Sequence, residues 1–252
     1  MIAFPLLKII IIFFTGLFAS TFGSLVGGAA FITIPIMAFL GIPLPVTLAA
    51  NTFSNLGINL GGFNQLKKNK LINYKIGFYL AFFAFFGSMF GSTLVLKTPI
   101  VYIKGILVFA LMVSLVSLFI KPRRGVIQNN HKQTGLLGWI FGAILAVILG
   151  AYAGFLGAGV ATFYTYGLIF NFNQNFLEST GTRKIPGLVQ AIGGTIIFLI
   201  NRKVDFLICL PLFIGMYIGS EIGTHYGIKF GNKFIKILSI IITIILLIKF
   251  LF

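Results

Sequence analysis

The chain has 252 residues, 58% of them hydrophobic and 9% charged, with a mean hydropathy of +1.07. No soluble domain of this size needs so much apolar surface, whereas a bilayer takes about 20 apolar residues for each spanning helix. The net charge of +16, with only Glu178, Asp205 and Glu221 as acids, would suggest nucleic acid in a soluble protein; here most cations lie in short loops between apolar runs, so they mark cytoplasmic loops and meet anionic headgroups.

The first apolar stretch covers residues 4–40. Its start resembles a signal peptide, but the run continues past Gly23 into a glycine cluster, so it reads as a retained first span. As one helix its 37 residues would reach about 55 Å, too long for a straight crossing of a core about 30 Å thick. Either one tilted, interrupted helix or a helix plus a short second helix fits. The first option gives four crossings per half and parallel repeats; the second gives five, and inverted repeats.

Residues 46–66 form a polar-spotted helix. Asn51, Asn55 and Asn59 are spaced i, i+4, i+8 and make one polar stripe with Thr52 beside it. Such a stripe faces a cavity or hydrogen-bonds a neighbouring helix. Two ordinary spans follow, 74–96 and 100–120. The basic, Pro/Gly-punctuated segment "KPRRGVIQNNHKQTG", 121–135, reads as a cytoplasmic loop joining the first repeat, 1–120, to the second, 136–252. His131 lies within it as a solvated residue.

The second half follows the same plan: a glycine-centred stretch at 136–170, a polar-spotted helix at 176–200, and spans at 206–228 and 234–252. Trp139 is an interfacial anchor. Gly87-Ser88 and Gly91 match Gly219-Ser220 and Gly223 at an offset of 132, and "FGSLVGGAAF" from Phe22 matches "AGFLGAGVAT" from Ala153 at 131. Duplicated apolar chains are a common plan for secondary transporters, with the site between the halves. Barrel-type alternation is absent. The fold class is therefore all-α: a polytopic membrane bundle of two homologous repeats with glycine-broken helices. Positive-inside counting pairs the loop of Lys67, Lys68, Lys70 and Lys75 with that of Lys121, Arg123, Arg124 and Lys132. The excess of Lys229, Lys233 and Lys236 over Arg202, Lys203 and Asp205 leans toward inverted repeats.

Gly23, Gly27 and Gly28, with Gly154, Gly157 and Gly159, permit interrupted helices, whose exposed N–H groups favour an anion. Close helix packing is the alternative. Thr182, Arg183 and Lys184, followed by Pro186 and Gln190, make the sharpest constellation. A cation deep in a span marks a functional site, and Arg grips two oxygens at once. Pro186 removes a backbone donor and kinks the segment. Snorkelling of both cations to headgroups is the competing reading. In the first half the polarity is kept without the charge. Glu221 and His225, i and i+4, are a candidate proton-coupling pair, and Glu178 is a candidate counter-ion for Arg183 or Lys184. Cys209, the one cysteine, is a small core residue.

Three ordered features are repeated in both halves: "GSLVGGAAFITIPIMAFLGIPLPVTLAANTFSN" from Gly23 and its counterpart from Gly150, each followed by a Gly-Ser-x-x-Gly helix. Together they resemble the TauE/SafE family, also called the TSUP or sulfite-exporter family, over nearly the whole chain. The resemblance implies a polytopic protein that moves sulfite, organosulfonates and related small anions. The first cluster here, Gly27–Ala30, is poorer in glycine than the family's, and Arg183 stands where the family commonly has serine in Gly-Thr-Ser-Lys.

The function expected is secondary transport of a small anion across the cell membrane by alternating access. No nucleotide-binding P-loop is present. A non-transporting assembly subunit is the alternative. An enzyme is disfavoured, because two His, one Cys and three acids are scattered. No metal or cofactor is called for. The partners expected are a small anionic substrate and membrane lipids, not nucleic acid; a homodimer is one option for the oligomeric state.

Overall fold

The computed structural model describes residues 3–99, 101–103, 105–106, 109 and 135–251, with side chains from residue 6 to 231 apart from Val26. The joining loop, with His131, and most of the span 100–120 lie outside the described residues.

Every regular element among the described residues is helical. In the first half these are α1 (Ala3–Val26), α2 (Ala30–Phe39), α3 (Leu44–Leu60), α4 (Phe63–Lys68) and α5 (Tyr74–Lys97). In the second they are α6 (Leu136–Phe155), α7 (Val160–Phe172), α8 (Phe176–Thr182), α9 (Lys184–Ile200) and α10 (Phe206–Leu251), the last broken at Gly231. Five segments among the described residues are long and apolar enough to cross a membrane: Leu6–Leu25, Tyr74–Lys97, Leu136–Phe155, Phe176–Ile200 and Phe206–Gly231.

Each glycine-centred stretch is a long helix followed by a short one. At Gly27 and Gly28 φ is 91° and 89°, and at Gly157 and Gly159 it is 72° and 77°. These values lie in the left-handed region, which costs a residue with a Cβ about 1–2 kcal/mol. The chain doubles back there: Gly23 lies against Ala29, six residues on, and the Asn171 side chain at the end of α7 donates to the Gly138 carbonyl at the start of α6, 2.7 Å away. Gly23 and Gly154, expected as break points, lie inside α1 and α6 instead. A Cβ on Gly154 would overlap the Ser88 backbone of α5, so this glycine serves close approach.

The expected single helix over 46–66 is two. α3 ends at Leu60, Gly62 has φ 71°, and α4 begins after it. α8 ends at Thr182, because Pro186 has no N–H to offer the Thr182 carbonyl. Pro186 itself lies in the first turn of α9, where a missing N–H does no harm.

Packing fixes the helix directions. Gly16 of α1 lies against Leu212 and Met216 of α10, Gly219 against Leu17, and Gly223 against Thr21, so α1 and α10 run parallel. Gly150 of α6 lies against Ala84 of α5, and Gly154 against Ser88, so these two also run parallel. The glycine-spaced helix of each half thus packs on the first helix of the other. α3 runs with α10, since Ser54 donates to the Cys209 carbonyl and Gly61 meets Tyr217. α9 runs with α5, as Gly77 meets Ile185 and Gly193 meets Phe85. The two groups oppose each other, because Thr52 of α3 lies against Gly194 of α9 while Asn59 lies against Gly187. Glycine lines these contacts because lipid is as apolar as leucine: helices associate through close van der Waals contact, without a hydrophobic drive between them.

One face of the bundle therefore carries Lys67, Lys68, Lys70, Lys75 and Lys229, and the opposite face carries Lys97, Arg202, Lys203 and Asp205, with Lys8 near it in the first turns of α1. Lys75 lies 5.6 Å from the Trp139 ring centroid on the first face. Phe78, Phe82, Phe86 and Phe90 form an exposed stripe on α5 that suits acyl chains.

A cation-lined cavity between two broken hairpins

The tips of the two hairpins meet. Gly27 lies against Ala161 and Thr162, and beside this contact is a cavity of about 40 Å³. That is room for roughly three waters, or one small oxyanion. The first residues of α2, Ala29 and Ala30 with Gly28, line one side; Val160 and Ala161 of α7 line another. The first-turn N–H groups of a helix have no intrahelical acceptor, and each N-terminus carries about half a positive charge. Two such ends converge on one space.

Side chains complete the wall. Arg183, Lys184, Asn55, Asn59 and Gln190 line it, with Tyr164 and Ser24, while no carboxylate among the described residues does. Tyr164 donates to Gln190 Oε1 at 3.2 Å. Asn59 is anchored by its own side chain, whose Nδ2 donates to the Asn55 carbonyl at 2.7 Å.

The cations are internal. Arg183 is 6% exposed and Lys184 2%, so neither snorkels to headgroups. Both cap helix ends. Arg183 Nη2 donates to the Ser24 carbonyl at 2.6 Å and the Leu25 carbonyl at 3.2 Å, at the C-terminus of α1. Lys184 Nζ donates to the Ile58 carbonyl at 2.5 Å, the Gly61 carbonyl at 2.9 Å and Ser220 Oγ at 2.9 Å, at the C-terminus of α3. Terminal carbonyls lack intrahelical donors and carry the negative end of the dipole. An ammonium has three protons, so Lys184 is fully committed to the protein. Arg183 is not: its Nε is buried without an acceptor.

Three of the expected binding residues are placed elsewhere. Asn51 Oδ1 accepts from Thr33 at 2.9 Å, holding α3 to α2. Thr52 packs on Gly194, and the Thr182 hydroxyl accepts from the Asn73 backbone N–H at 3.1 Å and from Gln174 at 3.0 Å. Glu178 closes a capping box with Asn175 at the start of α8. Glu221 and His225 are not joined by a hydrogen bond among the described contacts. Glu221 accepts from the Gly62 N–H and from Gln65, each at 2.5 Å, and His225 is exposed, its ring edge-on to Tyr226. Tyr164 and Ser24, which sequence reasoning passed over, are brought in by α7 folding back and by the end of α1; only their nearness to the glycine clusters could have flagged them.

The sequence matches the family described as Sulfite exporter TauE/SafE over residues 12–250. The chain belongs to the TauE/SafE family. Curated relatives named as probable membrane transporter proteins agree. One from Haemophilus influenzae is 22% identical over 194 residues, 77% of this chain and 75% of the relative. YdhB of Bacillus subtilis is 27% identical over 214 residues, 83% and 85%. YfcA of Escherichia coli K12 is 24% identical over 194 residues, 77% and 71%. No solved structure matches the chain. A TauE/SafE membrane transporter with several long apolar helices is thus a multi-pass membrane protein, and its family match covers both hairpins and the cavity between them.

Proposed function

We propose that this chain is a secondary transporter of small anions, sulfite, organosulfonates or related organic acids, in the cell membrane, with the loop of Lys67, Lys68, Lys70 and Lys75 toward the cytoplasm. The observation that carries the reading is a cavity lined by Arg183, Lys184 and two helix N-termini, with no carboxylate among the described residues that line it. Every strong feature of that cavity favours negative charge.

The arrangement also supports alternating access. We read residues 1–120 and 136–252 as inverted repeats, with the cavity where their hairpins touch. Rocking of one group of helices against the other would open the cavity to each face in turn. Arg183 supplies the charge. Asn55, Asn59, Gln190 and Tyr164 supply neutral hydrogen bonds. Lys184 holds the end of α3 while the cavity is empty.

Purified protein in liposomes, offered sulfite, sulfonates and carboxylates with and without a pH gradient, tests this. Saturable uptake of at least one anion, competed by the others, is expected. No uptake of any of them under any ion gradient would leave the assembly-subunit reading in its place.

A further inference from the structure

Every acid of the chain is committed away from the cavity. The sequence has three: Glu178, Asp205 and Glu221. Glu178 closes the capping box of α8, where its carboxylate accepts from the Asn175 N–H at 2.9 Å. Asp205 accepts from the Leu207 N–H at 2.9 Å, at the start of α10. Glu221 accepts from the Gly62 N–H and from Gln65. None of the three lines the cavity between the hairpins, and no histidine among the described residues does.

What lines it instead is donors and neutral acceptors. Arg183 and Lys184 bring the cationic side chains. No described hydrogen bond takes up the N–H groups of Ala30 and Ala161, which lie in the first turns of α2 and α7 at the cavity wall. The side-chain acceptors are the amides of Asn55, Asn59 and Gln190 and the hydroxyls of Ser24 and Tyr164. Gln190 Oε1 is already taken by the Tyr164 hydroxyl, and Asn59 Nδ2 is tied to the Asn55 carbonyl. An anion whose oxygens all lack hydrogen accepts from such a wall at every oxygen. An anion that keeps a hydrogen on one oxygen needs an acceptor for it as well. Its O–H then points its positive end into a region made positive by two cations and two helix N-termini. A neutral amide is a poor partner there, since a bond to a carboxylate is about twice as strong. A buried donor left without an acceptor is the mismatch that sites discriminate against most.

We propose that the cavity selects oxyanions with no hydrogen on oxygen, so that a sulfonate binds and a hydrogen phosphonate of the same shape and charge is refused, and that Asn55, Asn59 and Gln190 set this selectivity by being amides. It rests on the transporter reading above and adds a discrimination that net charge does not give, because both ions carry one negative charge. Asn55 is the position where a single acidic oxygen would change most. Its side chain is half-buried, and its amide nitrogen lies 3.8 Å from where a Cβ on Gly157, at the tip of the second hairpin, would stand. A carboxylate there would accept the hydrogen that the amides now leave without a charged partner.

Methanesulfonate and methylphosphonate are the matched probes. At mildly acidic pH each is a tetrahedral monoanion with one methyl group, and they differ by one hydrogen. The full-length protein in liposomes is preloaded with either ion or with sulfite, and counterflow of the labelled ion is followed at equal pH on both sides. Wild type is expected to exchange methanesulfonate with a half-saturation concentration at least about tenfold below that for methylphosphonate. Asn55→Asp should bring the two values together, within about threefold, whatever it does to affinity for both. Gln190→Glu offers the same acceptor beside Tyr164 if Asn55→Asp does not fold. Asn55→Ala, which removes the amide without adding an acceptor, should weaken both ions and keep their ratio. Equal half-saturation concentrations in wild type would overturn the proposal whichever variants fold. So would the wild-type ratio in both acidic variants, or exchange of sulfite with methanesulfonate inert. Exchange of none of the three ions by wild type would sink the transporter reading itself.

Discussion

Arg183 Nη2 lies 2.6 Å from the carbonyl oxygen of Ser24, so the charge carried at the α8–α9 junction of the second half is anchored to the end of the first helix of the first half. The same side chain lines the cavity between the two hairpins, and its Nε is buried without an acceptor. One side chain thus ties the two halves together and brings its charge to the wall of the space between them.

Arginine geometry, and not charge alone, should then matter. Arg183→Lys keeps the charge but cannot hold the Ser24 carbonyl and present a second donor in a fixed fork. We predict about 2 kcal/mol weaker anion binding, roughly thirtyfold, read from the concentration dependence of uptake. An unchanged half-saturation concentration would show that the anion does not need the guanidinium fork.

Lys184 should behave differently. Its three hydrogen bonds end on Ile58, Gly61 and Ser220. Lys184→Met leaves two buried carbonyls without that donor, at about 1–3 kcal/mol. A melting temperature lower by several degrees in detergent is expected; an unaltered one would contradict the clamp.

Glycine substitutions distinguish packing from open space. A side chain on Gly154 would overlap the Ser88 backbone, while one on Gly135 meets nothing within 4 Å. Gly154→Val should abolish the yield of monodisperse protein and Gly135→Ala should leave it at the wild-type level. Chromatography of the two detergent extracts settles the comparison, and an intact Gly154→Val protein would refute the close α5–α6 contact.

How much of this was legible in the sequence differs by residue. Apolar composition and loop cations indicate a polytopic helical protein, because the bilayer imposes both. Glycine is ambiguous by nature: it signals either a left-handed backbone or a near neighbour. Gly27, Gly28, Gly157 and Gly159 are of the first kind, and Gly23 and Gly154 of the second. Only the partner helix tells them apart, and that partner is more than sixty residues away for Gly154. The same holds for the polar residues. Asn51, Asn55 and Asn59 share a helix side, yet Thr33 takes Asn51 out of the cavity. Tyr164 enters only because α7 reverses direction. Glu221 and His225 share a helical side as well, but the chain that reaches Glu221 comes from α4.

Tyr164 offers a finer check. Its hydroxyl donates to Gln190 at 3.2 Å inside the cavity. Tyr164→Phe keeps the ring and removes that bond, worth about 1 kcal/mol or roughly fivefold in affinity. Uptake should show a higher half-saturation concentration with a normal yield. Equal affinities would mean that Gln190 does not need its orientation fixed.

The central claim is that an anion binds at Arg183 between the two hairpins. Counterflow of labelled sulfite and methanesulfonate at equal pH, without any driving gradient, measures binding and reorientation alone. Wild type should exchange at least one of them, and Arg183→Gln, reconstituted in equal amount and with an unaltered elution profile, should exchange less than a tenth as fast. Exchange by Arg183→Gln at the wild-type rate would contradict the account.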